Sequence, residues 1–124
     1  MKEYLFLAIG GVVGVILRYQ LGHWVAGWNT STFPWATLGI NITGSLTLGF
    51  LMPYLAGTAA SPELRLLLTT GLCGGFTTMS TFSYDLISLF NEQQYGFAVL
   101  YFSSTTLLSP LACLAGFRLA ALAI

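Results

Sequence analysis

The chain has 124 residues, of which 56% are hydrophobic and 6% are charged, and its formal net charge is zero. A soluble domain of this size carries about 25% charged residues, so this composition excludes an ordinary soluble domain and predicts an integral membrane protein in a lipid bilayer. The balanced charge gives no reason to expect a nucleic-acid partner.

Four apolar segments follow one another, and each is long enough for the roughly 20 residues that a membrane-spanning helix needs. We therefore predict an all-α protein with a single transmembrane domain over residues 1–124. The predicted spans run at about 4–25, 33–55, 63–90 and 95–119. Trp24, Trp28 and Trp35 cluster around the first loop, which is the position that amphipathic rings take at a membrane interface.

The first span carries Gly10, Gly14, Arg18 and Gly22 at four-residue spacing, so they share one helix face. The glycines are typical of a seam where two helices pack closely. Arg18 has two interpretations, because a charge in lipid is costly. It either extends to the headgroups near its end of the span or faces a polar interior.

The second and fourth spans each place a polar side chain at depth. Asn41 has an amide that must find partners, and it either joins two helices or donates hydrogen bonds along a pore. Ser109 directly precedes Pro110, whose missing N–H frees a carbonyl one turn earlier. Its hydroxyl either satisfies that backbone or lines a polar path.

The third span is unusual, because its middle contains three glycines and five hydroxyl residues in the thirteen positions from Gly71 to Ser83. Glycine, serine and threonine are weak helix formers. We predict a helix broken near its middle, which lipid tolerates only where the freed backbone is buried or lines a polar path. Transporters coordinate ions at such breaks. The alternative is a continuous, glycine-rich packing helix.

Carboxylates are scarce at depth, since Glu63 and Glu92 lie at span edges and Asp85 lies near the far end of the third span. The polar inventory is instead rich in donors, which favours a small anion as the permeant species. Cys73 and Cys113 stand in apolar stretches and are predicted to be structural. No nucleophile–base pair or metal-ligand cluster is visible, so we do not expect an enzyme.

The run from Gly74 to Ser83 resembles the Fluc (CrcB-type) fluoride channels, as do Asn41–Gly44 and the Gly10–Arg18 stretch. The resemblance covers the whole chain in length and span order. It implies an antiparallel, dual-topology homodimer in the bacterial inner membrane that exports fluoride passively and so lowers its toxicity. One departure is Met79, which stands where the family has the first of two phenylalanines. A thioether lacks the positive aromatic edge that can face an anion.

The resemblance also implies a set of site residues. A structural sodium ion would be held at the dimer centre by the backbone carbonyls of Gly74 and Thr77. The expected fluoride path consists of Asn41 as a donor, Ser80, Thr81 and Ser109 as a polar track, Phe82 and the Met79 position as the aromatic site, and Arg18 near a vestibule.

Two other interpretations compete with a channel. The first is a small multidrug-resistance-type antiporter coupled to protons, which relies on an acidic residue within its first span. Here that span has only Arg18 at depth. The second is a non-conducting structural subunit, which would be indifferent to fluoride.

Overall fold

The computed structural model describes all 124 residues, and all of its regular structure is helical, which confirms the all-α prediction. The elements in chain order are α1 (Lys2–Trp28), α2 (Trp35–Ala56), α3 (Pro62–Leu66), a π-helical segment (Leu67–Cys73), α4 (Gly74–Phe76), α5 (Met79–Asn91) and α6 (Tyr95–Ala123).

Three helices, α1, α2 and α6, are long and apolar enough to cross a membrane. The predicted third span has no single counterpart, because its residues are divided among α3, the π-helical segment, α4 and α5.

Only 21 of the 124 residues are buried, and most large apolar side chains on α1 and α6 are exposed. In water such a surface would aggregate, so the chain is a membrane protein whose outer surface meets lipid or another protein.

Glycines allow α2 and α6 to pack with their backbones in direct contact. A Cβ atom at Gly49 would collide with the carbonyl oxygen of Cys113, and one at Gly116 would collide with that of Leu46. Small residues are what allows helices to approach this closely in a membrane, where no hydrophobic force drives them together. This pair forms the most extensive helix contact in the chain.

A second glycine contact joins α1 to the π-helical segment. A Cβ at Gly10 would collide with the carbonyl of Leu67, and one at Gly14 would collide with that of Leu72. The contact continues into α4, where a Cβ at Gly75 would lie 2.7 Å from the carbonyl oxygen of Gly11 in α1. The glycine seam predicted for the first span is therefore present at Gly10 and Gly14. It does not extend to Gly22, where a Cβ would meet nothing.

The helical path from Pro62 to Asn91 is interrupted at two residues, Thr77 (φ −78°, ψ 158°) and Thr78 (φ −152°, ψ 117°), which are both extended. The path begins at a capped end, because the N–H of Leu64 donates to the Ser61 hydroxyl. Between Leu67 and Cys73 the helix is widened into π geometry, which in other proteins marks functional sites.

The buried core lies near the end of the molecule where the α1–α2 loop sits. Tyr101 of α6 is fully buried between Phe33 and Phe82, with ring centroids 5.8 Å and 5.1 Å away. Leu38 and Leu89 complete this cluster. The core thus fixes α5 and α6 against the first loop and positions the segment that follows the interruption.

Candidate functional site

The interruption at Thr77 and Thr78 is held by one side chain of α2. The N–H of Thr78 donates to Oδ1 of Asn41 at 2.8 Å, and Nδ2 of Asn41 donates to the Thr78 carbonyl at 3.1 Å. Both residues are buried. The Asn41 amide therefore satisfies both backbone groups of a non-helical residue, which an apolar environment requires.

This pairing changes the bonding of two nearby carbonyls. In a continuous helix the Thr78 N–H would donate to the carbonyl of Gly74, but it donates to Asn41. The Thr81 N–H would likewise reach the Thr77 carbonyl, but it donates to the Thr78 hydroxyl at 3.1 Å as an N-cap. The carbonyls of Gly74 and Thr77 both lose their usual helical partner at the interruption.

A groove of about 430 Å³ with several hydroxyl residues in its lining, here called the first groove, opens beside the interruption between α2, α5 and α6. Two of its lining residues, Thr105 and Ser109, have hydroxyl groups that are buried without a hydrogen-bond partner. Ser109 thus does not satisfy the backbone freed by Pro110, and it lines the groove instead. The residues lining the first groove are Asn41, Gly44, Ser45, Leu48, Thr77, Thr78, Met79, Phe82, Thr105, Thr106, Ser109 and Pro110.

Thr105 is a groove residue that sequence reasoning missed. It stands four positions before Ser109 and four after Tyr101, so the three residues share one face of α6. This four-residue spacing is the feature of the sequence that could have identified Thr105. The neighbouring Thr106 also lines the groove, but its hydroxyl donates to the carbonyl of Phe102 in its own helix at 2.7 Å.

A second groove, also of about 430 Å³, lies on the α1 side of the interruption. It holds Arg18 and His23 together with Thr81 and Thr37. Thr78 lines both grooves, so the two meet at the interruption. Arg18 is half-buried and lines this groove.

The predicted site residues are therefore only partly brought together. Five of them line the first groove, namely Asn41, Thr77, Met79, Phe82 and Ser109, whereas Arg18 and Thr81 line the second. Gly74 and Ser80 line neither groove and are exposed on the chain's surface. Met79 is 74% exposed, so most of its side chain faces away from its own chain.

A carboxylate lies one helical turn beyond the grooves. The hydroxyl of Tyr101 donates to Oδ2 of Asp85 at 3.1 Å, and the Tyr101 ring contacts Phe82. The Asp85 carboxyl group thus has a hydrogen-bond partner within the chain. The first groove itself contains hydroxyls, an amide and backbone groups but no charged side chain.

No group of three or more His, Cys, Asp or Glu side chains is placed to hold a metal ion. Any cation at this site would have to use neutral oxygen ligands. For an anion, the arrangement offers neutral donors in the first groove and one fixed positive charge in the second. Neutral donors and a single offset charge are the kind of lining from which an anion can also be released.

Residues 5–117 match the family described as CrcB-like protein, Camphor Resistance (CrcB). Three relatives carry the name fluoride-specific ion channel FluC. One from Thermus thermophilus is 40% identical over 119 residues, which cover 96% of this chain and 94% of the relative. One from Rhizobium meliloti is 41% identical over 120 residues, which cover 96% of each chain. One from Erythrobacter litoralis is 45% identical over 101 residues, which cover 77% of this chain and 74% of the relative.

Proposed function

We propose that this chain, which belongs to the CrcB family, forms a passive fluoride channel rather than an enzyme or a proton-coupled drug antiporter. One observation carries the proposal. The buried hydroxyls of Thr105 and Ser109 have no partner within the chain and line a groove without charged side chains. The names of the relatives, fluoride-specific ion channels, support the same assignment.

The chemistry of the first groove suits a small, strongly hydrated anion. Fluoride must exchange its water for close donors, and hydroxyl groups supply them. A buried hydroxyl without a partner is unfavourable, so an ion that accepts its hydrogen bond is a fitting occupant. Arg18 in the second groove raises the local anion concentration without binding the ion at the interruption itself.

In the proposed membrane arrangement, the path from Pro62 to Asn91 makes one crossing that is broken near the bilayer midplane. With α1, α2 and α6 it gives the four spans. The non-helical backbone of Thr77 and Thr78 is tolerable at that depth because Asn41 satisfies Thr78 and both residues line the first groove rather than lipid. A multi-pass protein of the bacterial inner membrane is consistent with this arrangement.

The proposed structural sodium ion fits the donor set at the interruption. The carbonyls of Gly74 and Thr77 lack their usual helical partners, since the N–H groups of Thr78 and Thr81 donate elsewhere. Neutral backbone oxygens suit a hard cation such as sodium. One chain offers two such carbonyls, so a second copy of the chain would be needed to complete the site.

The proposed partner is therefore a second copy of the chain in antiparallel orientation. Gly74 is exposed, and a Cβ there would meet nothing within the single chain. Met79 and Ser80 are exposed beside it. The exposed glycine would allow close packing against another helix, and the Ser80 hydroxyl is better placed against protein than against lipid, which supports covering this surface with a second chain. In such a dimer the exposed Met79 would face the partner's side of the path.

Passive conduction would export fluoride in a bacterial cell. The membrane potential is negative inside, and moving one charge through it is worth about 2.3 kcal/mol per 100 mV. An anion is thus driven outward without coupling to protons. This outward drive would lower cytoplasmic fluoride.

The decisive experiment is efflux from liposomes that contain the purified protein, measured with a fluoride electrode and with a chloride electrode as the control. We expect fluoride efflux without any proton gradient and much slower chloride efflux. Equal rates for the two ions would overturn selectivity. Proton flux that depends on a drug would favour the antiporter, and the absence of any flux would favour a structural subunit.

A further inference from the structure

Arg65 has an incompletely satisfied guanidinium group at the end of the molecule where α2 leads into α3. Its Nη2 donates to the carbonyl of Thr58 over a long 3.5 Å, and its Nε is buried without a hydrogen-bond partner. Arginine is always protonated in proteins, so this buried N–H is a charged donor in need of an acceptor.

The guanidinium stands beside a cavity of about 430 Å³ that is otherwise almost entirely apolar. Thr69 contributes a hydroxyl, but that group already donates to the carbonyl of Arg65 at 2.7 Å. Arg65 is the one charged residue of the lining. The cavity is lined by Met52, Leu55, Ala56, Pro62, Arg65, Leu66 and Thr69.

The cavity lies at a level where membrane helices end. The apolar helix α2 stops at Ala56, and α3 begins at Pro62 after a short loop. A Cβ at Gly57 in that loop would lie 3.2 Å from the side chain of Ile124, so the end of α6 is also here. Three helix termini at one level mark the boundary between hydrocarbon and headgroups, which is the depth of lipid phosphates.

We propose that Arg65 and this cavity bind one anionic phospholipid, with the phosphate on the guanidinium and an acyl chain along Met52, Leu55 and Leu66. The planar fork of arginine matches phosphate oxygens. Basic pockets between membrane helices are suited to lipid headgroups. A free phosphate ion would satisfy Arg65 but would leave the apolar lining uncovered, whereas a phospholipid matches both parts of the cavity.

This site is separate from the grooves beside Asn41. Its link to the rest of the chain is Thr69, which belongs to the π-helical segment and bonds to Arg65. Because Thr69 and the end of α2 line the same cavity, a lipid held here would lie between the start of that segment and α2.

The test is native mass spectrometry of the full-length chain in a nonionic detergent, titrated with phosphatidylglycerol or with phosphatidylcholine. We expect phosphatidylglycerol to bind more tightly to the unaltered chain. Arg65→Gln should weaken that binding about tenfold, the effect of losing one charge-assisted hydrogen bond. Arg118→Gln is the matched control, because Arg118 is an exposed cation outside the cavity. Binding of phosphatidylglycerol to this variant should be unchanged.

Two further variants keep the proposal testable if Arg65→Gln fails to fold. Arg65→Lys keeps the charge but loses the fork, so binding should weaken. Ala56→Phe fills the cavity from an exposed position and leaves Arg65 intact, so it should also weaken binding. Equal losses in the Arg65 and Arg118 variants would overturn the site. Displacement of the lipid by millimolar inorganic phosphate would identify a free-anion site instead and overturn the proposal.

Discussion

Replacing Asn41 with alanine should destabilise the chain, because it removes both hydrogen bonds to Thr78 at once. The variant leaves the N–H and carbonyl of Thr78 buried without partners, since Thr78 is only 8% exposed. An unsatisfied buried group costs about 1–3 kcal/mol. Hydrogen bonds between membrane helices average only about 0.6 kcal/mol. Summed over the two bonds, these limits are about 1 and about 6 kcal/mol. We expect a loss of about 2–4 kcal/mol, because the extended Thr78 backbone has no helical partner to return to.

The measurement is thermal unfolding in detergent micelles, with Thr43→Ala as the matched control on the same helix. The Thr43 hydroxyl is exposed and donates only within α2, to the carbonyl of Gly39 at 2.7 Å and that of Ile40 at 3.2 Å. Its loss should therefore stay within about 0.5 kcal/mol. If Asn41→Ala unfolds at the same temperature as Thr43→Ala, the reasoning about the Thr78 backbone is refuted.

Asn41→Asp separates the structural role from the role in conduction. The carboxylate can still accept from the Thr78 N–H, but it cannot donate to the Thr78 carbonyl and adds a negative charge to the first groove. We expect this variant to be more stable than Asn41→Ala at neutral pH and to pass fluoride far more slowly, because like charges repel. Fluoride efflux at the unaltered rate would remove Asn41 from the proposed path.

Thr105→Val removes an unpartnered buried hydroxyl at nearly constant volume, so stability should hold or rise by about 1 kcal/mol while fluoride efflux from liposomes falls. Unchanged efflux would exclude that hydroxyl from the path. Met79→Phe supplies an aromatic edge and should raise the rate of fluoride efflux, whereas a lower rate would argue against an aromatic site at this position. Gly49→Ala should lower the thermal unfolding midpoint, because its Cβ would collide with Cys113, while Gly39→Ala has open space and should match or exceed the unaltered chain. Equal midpoints for the two glycine variants would count against the α2–α6 contact.

Features set by local composition were predictable from the sequence. The lengths of the apolar segments predicted the three long helices, because a membrane-spanning helix is formed by one continuous run of apolar residues. The four-residue spacing also predicted that Gly10 and Gly14 pack against a neighbouring helix. The same spacing failed at Gly22, because α1 borders the open second groove there rather than another backbone.

Features set by distant parts of the chain were not predictable. Asn41 and its partner Thr78 are 37 positions apart, so nothing local indicates that the amide bonds to that particular backbone. The π geometry of Leu67–Cys73 occurs where the backbone of α1 approaches closely, and the segment's own sequence has no marker of it. Thr105 was not predicted, because its neighbours in the sequence do not indicate that its hydroxyl is buried without a hydrogen-bond partner.

The interruption is held by contacts within one chain, which bears on how the proposed sodium site would work. Asn41 pairs with the Thr78 backbone, the Thr78 hydroxyl caps α5, and the backbone of α1 packs against Gly75. These contacts divert the N–H groups that would otherwise bond to the carbonyls of Gly74 and Thr77. A cation at the proposed site would therefore not have to supply the free energy of breaking a helix. Such pre-organisation favours binding by weak neutral ligands. It follows that removing the proposed sodium ion should weaken the proposed association of two chains more than it alters the fold of either chain.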